Sequence, residues 1–320
     1  MMKIVLAEPL GISAEYLEEL ADGLRAKGHE FVAYDSVEKD VAKLTERYCD
    51  ADILIIANNP LPDAVIEACP KLKYISVAFV GIDHVGKKTC RARNIPVSNA
   101  AGYCNDAVAE LALGLTLDCL RNVSTCNSVI REGGSKAGLI GHELHGKTVG
   151  IIGTGGIGCT TAKLFKAFGC KVLGYSRHER EEAKAIGVEY RTLDELLAES
   201  DIVSVHTPLT DATKSLLNAE KLALMKDTAI LINTARGPVV DQDALAEALN
   251  AGKLAAAGID VYDVEPPLAQ DHVILTAKNV VCTPHVGFAT KESIDRRAAI
   301  VFENIHTFLA GNPQNVMSLE

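Results

Sequence analysis

The chain has 320 residues, 48% hydrophobic and 23% charged, which is room for two folded domains and excludes intrinsic disorder. Its formal net charge of −10 excludes a general affinity for nucleic acid or an anionic membrane surface. The first residues, MMKIVLAEPLG, carry one Lys and a short apolar run broken by Glu8, so they read as a strand and not as a leader.

In chain order, KIVLAE (3–8) is a strand and residues 13–27 a helix, with Ser13 as N-cap and Leu17, Leu20 and Leu24 on one face. EFVAYD, DILIIA and KYISVAF are further buried strands, and this alternation of strand and helix indicates βαβ units on a parallel sheet. Val108, Leu111, Ala112, Leu115 and Cys119 keep helical spacing over about 105–121. A polar, glycine-bearing stretch follows, and then the alternation restarts. TVGIIG (148–153), KVLGY (171–175), DIVSVH (201–206), TAILINT (228–234), AAAGIDV (255–261) and NVVCTPH (279–285) are strands apolar enough for a sheet covered on both faces. Thr192 and Glu195 form a capping box at a helix start. The last helix spans about 290–310, with Ala298, Val301, Phe302, Ile305, Phe308 and Leu309 as its apolar stripe. No run approaches the ~20 apolar residues that cross a bilayer.

Nine cysteines occur at irregular spacing with no CxxC, and most of them read as small buried hydrophobes in a reducing cytoplasm. His142 and His145 form an HxxH with no third ligand nearby, and read as a surface loop and not a metal site.

Gly153-Thr154-Gly155-Gly156-Ile157-Gly158 is a GxGxxG that follows a buried strand and opens a helix over Ile157–Phe168, the context that makes the pattern a dinucleotide fingerprint. The first glycine allows the tight turn, the second the approach of a pyrophosphate, and the third close helix–strand packing, with the phosphates at the helix N-terminus. About 20 residues on, an acid normally grips the ribose of NAD. Here Ser176, Arg177 and His178 stand at that place. A serine hydroxyl and an arginine suit a 2′-phosphate, which favours NADP(H) over NAD(H). The alternative is that Glu179, Glu181 or Glu182 turns inward to hold an NAD ribose.

INTARGPVVD (232–241), GIDVYDVEPP (258–267) and CTPHVG (282–287) each close a strand at its carboxyl end, the edge where open α/β sheets bind ligands. Arg236, Asp260, Glu265 and His285 are therefore candidates for one site.

With these motifs in that order, the chain resembles the D-isomer-specific 2-hydroxyacid dehydrogenases over essentially its whole length. The resemblance implies an α/β fold of two Rossmann-like, doubly wound parallel-sheet domains. A dinucleotide domain (100–287) is inserted in a flavodoxin-like substrate domain (1–99 and 288–320). It also implies that Arg236, Glu265 and His285 are the catalytic set. His285 is then the acid, Glu265 its partner, Arg236 the group that holds the substrate carboxylate, and Asp260 the acceptor for the nicotinamide carboxamide. SVAFVGIDHV matches the family's carboxylate loop, where Val80 and Gly81 present backbone N–H groups. Thr207, Pro208, Thr234, Ala235, His285 and Gly287 complete the implied cofactor contacts. The EPPLAQDHVIL…TPHVGFAT stretch looks most similar to the glycerate dehydrogenase and hydroxypyruvate/glyoxylate reductase branch, so small 2-keto acids are the expected substrates and a homodimer the expected assembly. Larger 2-keto acids, a phosphite-type oxidation and a dinucleotide-sensing co-repressor are the alternatives.

Overall fold

The structure, a computed structural model, describes residues 1–319. The chain divides into two compact units, residues 1–103 with 290–319 and residues 104–289.

The first unit begins β1 (Lys3–Leu6), α1 (Ala14–Arg25), β2 (Glu30–Ala33), α2 (Val41–Tyr48) and β3 (Ile53–Ile56). It continues α3 (Asp63–Glu67), β4 (Tyr74–Val77), α4 (Lys87–Ala92) and β5 (Val97–Ser98). All its strands are parallel, in the order β2-β1-β3-β4-β5, which is the flavodoxin-like order. Ile53–Ile56 and Tyr74–Val77 are buried throughout, as a sheet covered on both faces requires. Ser13 caps α1 by accepting from the Tyr16 N–H.

The second unit opens with α5 (Asn105–Arg121) and α6 (Val123–Arg131), then β6 (Thr148–Ile152), α7 (Gly156–Ala167), β7 (Lys171–Tyr175), α8 (Glu181–Ile186) and β8 (Glu189–Tyr190). It goes on with α9 (Leu193–Glu199), β9 (Ile202–Val205), α10 (Ala219–Leu222), β10 (Ile230–Asn233), α11 (Gln242–Asn250), β11 (Ala256–Ile259), α12 (Val273–Thr276) and β12 (Val280–Cys282). The order β12-β11-β10-β9-β6-β7-β8 reverses at β6, which makes it a doubly wound Rossmann sheet. Alternate strand residues feed two cores. Val149, Ile151, Val172 and Ile230 pack with Ala112, Leu115 and Phe165, while Ile152, Leu173, Val203 and Leu231 pack with Leu196, Leu197 and Leu245. Each fully buried Leu, Ile or Phe contributes ~1.5–3 kcal/mol.

The chain then returns to the first unit as α13 (Lys291–Leu309). Thr290 caps it, and its Val301 carbonyl accepts from Ser76 Oγ of β4 at 3.1 Å. Phe308 stacks on Tyr74 at 4.2 Å.

The boundaries fall after Tyr103 and after Ala289, not after residues 99 and 287. The Ala100 N–H donates to the Phe79 carbonyl and Tyr103 meets the Phe79 ring edge-on, which ties residues 100–103 to the first unit. β7 has the bounds read from the sequence, the other strands are shorter than their apolar runs, and β5, β8 and α6 are additions to the elements read from the sequence. Among the described residues no helix is long and apolar enough to cross a membrane.

Candidate active site

The turn from β6 into α7 has the shape that the glycine pattern requires. Gly153 adopts a φ of +97°, and a Cβ there would lie 2.6 Å from the His206 carbonyl oxygen at the end of β9. A Cβ on Gly158 would run into the Gly153 carbonyl, so the helix packs this closely only on a glycine. At Gly155, by contrast, a Cβ would meet no protein atom within 4 Å. Gly155 is the N-cap of α7 and supplies no side-chain cap, so the first-turn N–H groups open onto free space. That cradle fits a pyrophosphate. Gly156 and Ile157 form the first turn, and the hydroxyl of Thr154, a residue 1% exposed, pairs with Tyr190 Oη at 2.7 Å.

Beyond β7, Ser176 is partly buried and Arg177 and His178 are exposed. Glu179 and Glu181 both engage Lys184, at 2.8 and 3.1 Å, so two of the three nearby acids are held by a cation of α8. Beyond β9, His206 Nε2 lies 2.8 Å from Ser204 Oγ, and burial pushes its imidazole down to about 3, so the ring is neutral at physiological pH. Thr207 is partly buried and Pro208 exposed, and the Pro208 carbonyl accepts from Thr213 Oγ1 at 2.6 Å.

At the end of β10, Asn233 is fully buried and clamps the next turn from both sides. Its Nδ2 donates to the Arg236 carbonyl at 3.0 Å and its Oδ1 accepts from the Ala235 N–H at 3.1 Å. Thr234 is 8% exposed, and its Oγ1 has no hydrogen-bond partner among the described residues. A buried hydroxyl left this way is a natural contact for a ligand that completes it. Arg236 is partly buried, with Nη1 on the Ala235 carbonyl at 2.8 Å. Gly237 next to it lies so close to the Tyr262 carbonyl that a Cβ would overlap it, which seats the arginine turn against the segment leading to Glu265.

Asp260, at the end of β11, is completely buried and organises the turn after β12. Its Oδ1 accepts from Thr283 Oγ1 at 2.6 Å and from the Val286 N–H at 2.8 Å, and its Oδ2 from the Gly287 N–H at 2.8 Å. Tyr262 Oη donates to the Thr283 carbonyl at 2.9 Å, and its phenol is raised by burial. Within this frame His285 takes a φ of +58°, a left-handed conformation that a non-glycine residue holds only when its surroundings impose it. Its Nδ1 lies 2.9 Å from Glu265 Oε2 and 3.1 Å from Oε1, and Phe288 meets its ring edge-on at 6.0 Å. With Nδ1 on the carboxylate, Nε2 is the nitrogen left to exchange a proton with a ligand. Nearby, His272 holds Asp263 at 2.8 Å and keeps that carboxyl below the usual range.

Arg236, Asp260, Glu265 and His285 thus belong to one unit and stand on the carboxyl ends of β10, β11 and β12 together with their following loops, as read from the sequence. The clamps made by Asn233, Thr283 and Tyr190 were not read from it. In the first unit the loop after β4 holds Val80 and Gly81, both partly buried. Asn99 Nδ2 donates to the Val80 carbonyl at 2.7 Å and fixes that loop.

Comparison with known proteins agrees with this geometry. Residues 113–287 match the family model described as D-isomer specific 2-hydroxyacid dehydrogenase, NAD binding domain. The chain is 38% identical to a hydroxypyruvate reductase of Blautia hydrogenotrophica, over 92% of this chain and 94% of that one. It is 39% identical to a glyoxylate reductase of Korarchaeum cryptofilum, over 87% and 86%. Among solved structures, the acyclic imino acid reductase Bsp5, in complex with NADPH and D-Arg, superposes with a TM-score of 0.89. It is 28% identical, with 99% of this chain and 100% of that one covered.

Proposed function

The chain belongs to the D-isomer-specific 2-hydroxyacid dehydrogenases, and from that premise we propose that it reduces hydroxypyruvate and glyoxylate with NADPH. It is an oxidoreductase that transfers a hydride between a nicotinamide cofactor and a small 2-hydroxy acid. The single observation that carries the substrate reading is the Glu265–His285 pair beside the arginine turn of Gly237, seen in a chain whose relatives reduce these two acids.

The dinucleotide fits the residues of the second unit. The 153–158 loop would hold the pyrophosphate, Ser176, Arg177 and His178 the adenosine ribose, and Thr207, Pro208, Thr234, Ala235 and Gly287 the nicotinamide half. When bound, its nicotinamide ring supplies the hydride. Asp260 is the proposed acceptor for the carboxamide N–H, beside the Gly287 N–H that its Oδ2 already accepts. Arg236 pairs its planar fork with the substrate carboxylate and draws charge toward the keto oxygen. Negative charge grows on the keto oxygen as the carbon is reduced, and His285 Nε2 protonates it. The Glu265 carboxylate on Nδ1 fixes which nitrogen faces the substrate.

The preference for NADPH rests on Ser176 and Arg177 standing where an acid would repel a 2′-phosphate, while Glu179 and Glu181 are engaged by Lys184. A homodimer through the second unit is the proposed assembly. None of α6 is buried, and Val123, Ile130 and Ile140 are 56%, 68% and 92% exposed, an apolar surface that a second copy would cover. Nine cysteines, all free, support a cytoplasmic location.

The test is a panel of 2-keto acids assayed in parallel with NADPH and NADH. The expected result is the highest kcat/KM for hydroxypyruvate or glyoxylate with NADPH. A better rate on branched or aromatic keto acids would refute the substrate reading, and a strong NADH preference would refute the cofactor reading.

A further inference from the structure

We propose that Tyr190 is a specificity-determining residue: it pins the loop that receives the 2′ substituent of the cofactor, and so sets the discrimination between NADPH and NADH. The proposal rests on the reading of Ser176 and Arg177 as the 2′-phosphate site.

Tyr190 ends β8, the edge strand of the sheet, and pairs in register with Gly174 of β7. Gly174 makes the position possible. A Cβ there would lie 2.6 Å from Val188 Cγ1, 3.2 Å from Thr154 Cγ2 and 3.6 Å from Tyr190 Cε1, so the bare backbone lets these three side chains meet over the end of β7. The phenol then makes two hydrogen bonds. Its oxygen accepts from the Arg180 N–H at 2.9 Å and pairs with Thr154 Oγ1 at 2.7 Å. Thr154 is in the phosphate loop and Arg180 ends the segment that starts at Ser176.

The other end of that segment is tied to the same place, because the Gly153 N–H donates to the Tyr175 carbonyl at 2.8 Å. Residues 176–179 are thus strung between two anchors, both on the loop that cradles the pyrophosphate. In the cofactor the 2′ position is covalently linked to that pyrophosphate through the adenosine ribose. Donors for a 2′-phosphate are useful only at a fixed offset from the phosphate cradle, and the phenol of Tyr190 supplies that offset on the Arg180 side. A 2′-hydroxyl draws far less on the segment. A phenylalanine at 190 keeps the ring and its packing but releases both Arg180 and Thr154, and the loop can then drift from its offset to the phosphate cradle.

The experiment is calorimetric binding of 2′,5′-ADP and of 5′-AMP to the wild type and to Tyr190→Phe, with Thr154→Val as the second variant, which leaves the phenol on Arg180 but cuts its tie to the phosphate loop. In the wild type 2′,5′-ADP binds more tightly than 5′-AMP. The ratio of the two dissociation constants falls by about fivefold in Thr154→Val, the scale of one lost hydrogen bond, and by at least as much in Tyr190→Phe, which loses two, and the NADPH/NADH ratio of kcat/KM falls with it. An unchanged ratio in Tyr190→Phe, or equal losses for both ligands, overturns the role of Tyr190 and leaves the Ser176 and Arg177 reading intact. A wild type that binds both ligands equally overturns that reading, and this proposal with it.

Discussion

His285 Nδ1 sits 2.9 Å from Glu265 Oε2, although the two residues lie on separate loops and His285 holds a left-handed backbone to get there. The Glu265 side chain is 64% exposed, so water screens much of its charge and its larger contribution is orientation. Glu265→Gln keeps an acceptor for Nδ1–H, whereas Glu265→Ala keeps none. The expected order in kcat at saturating substrates is wild type, then Gln lower by roughly tenfold, then Ala lower by ~10²-fold or more. Equal losses in the two variants would show that charge, not orientation, is what Glu265 supplies.

His285→Ala removes the proposed acid. kcat is expected to fall by ~10²–10⁴-fold, the range of general acid catalysis, while cofactor affinity, read by fluorescence titration, changes far less. A variant that keeps near-normal kcat would place the proton donor elsewhere.

How far the sequence reached depended on whether a signal was local. Strands β3, β6 and β10 were legible because their buried residues are mostly branched aliphatic, and Thr192 with Glu195 was legible because a capping box is a short local pattern. β8 was missed because two residues, one of them exposed, show no period, and α6 because none of its residues is buried. The runs DIVSVH and TAILINT overshot β9 and β10 at their carboxyl ends, where the chain leaves the ladder to present His206 and Thr234. Motif spacing put Arg236, Asp260, Glu265 and His285 at or just after the ends of β10, β11 and β12, where the structure has them. It gave no access to the Asn233 clamp, the Thr283 bond or the bridge at Tyr190, since these depend on which loops fold onto one another.

Asp260→Asn turns part of an acceptor into a donor facing the N–H groups of Val286 and Gly287. With a buried donor left unsatisfied, stability is expected to fall by ~1–3 kcal/mol, visible as a lower Tm. Activity falls more steeply than stability accounts for, because the turn that carries His285 loses its anchor. A variant with wild-type Tm and kcat would deny Asp260 both roles.

Arg236→Lys replaces a planar fork with a point charge. The expected result is a higher KM for the keto acid and a kcat/KM lower by ~10–100-fold, the scale of a charge-assisted hydrogen bond. An unchanged kcat/KM would move the carboxylate contact to another residue.

His206 gives the stability of the protein a pH dependence. Its folded value is about 3, depressed by burial, against ~6.5 in an unfolded chain. Above pH ~6.5 neither state binds the proton and the contribution is complete. As pH falls toward 3 the unfolded state takes the proton first, and stability declines by up to ~1.4 kcal/mol per pH unit. His206→Gln is expected to flatten the fall in Tm between pH 7.5 and 5.5, and parallel curves for the two proteins would exclude His206 as its source.

The bond from Ser76 to Val301 joins residues 225 positions apart. Ile305 and Phe302 are buried in the first unit, Phe302 lies against Phe31 at 5.7 Å, and all of this waits on a helix made after the whole inserted unit. The inserted unit is continuous in sequence and can close as soon as β12 is synthesised. The first unit cannot, because β4 keeps a bare face until α13 arrives. The order of synthesis is therefore the reverse of the order of completion: the half begun first is finished last. Its high contact order makes it the slower half to fold, and the exposed face of β4 is the surface most open to misassembly in a nascent chain.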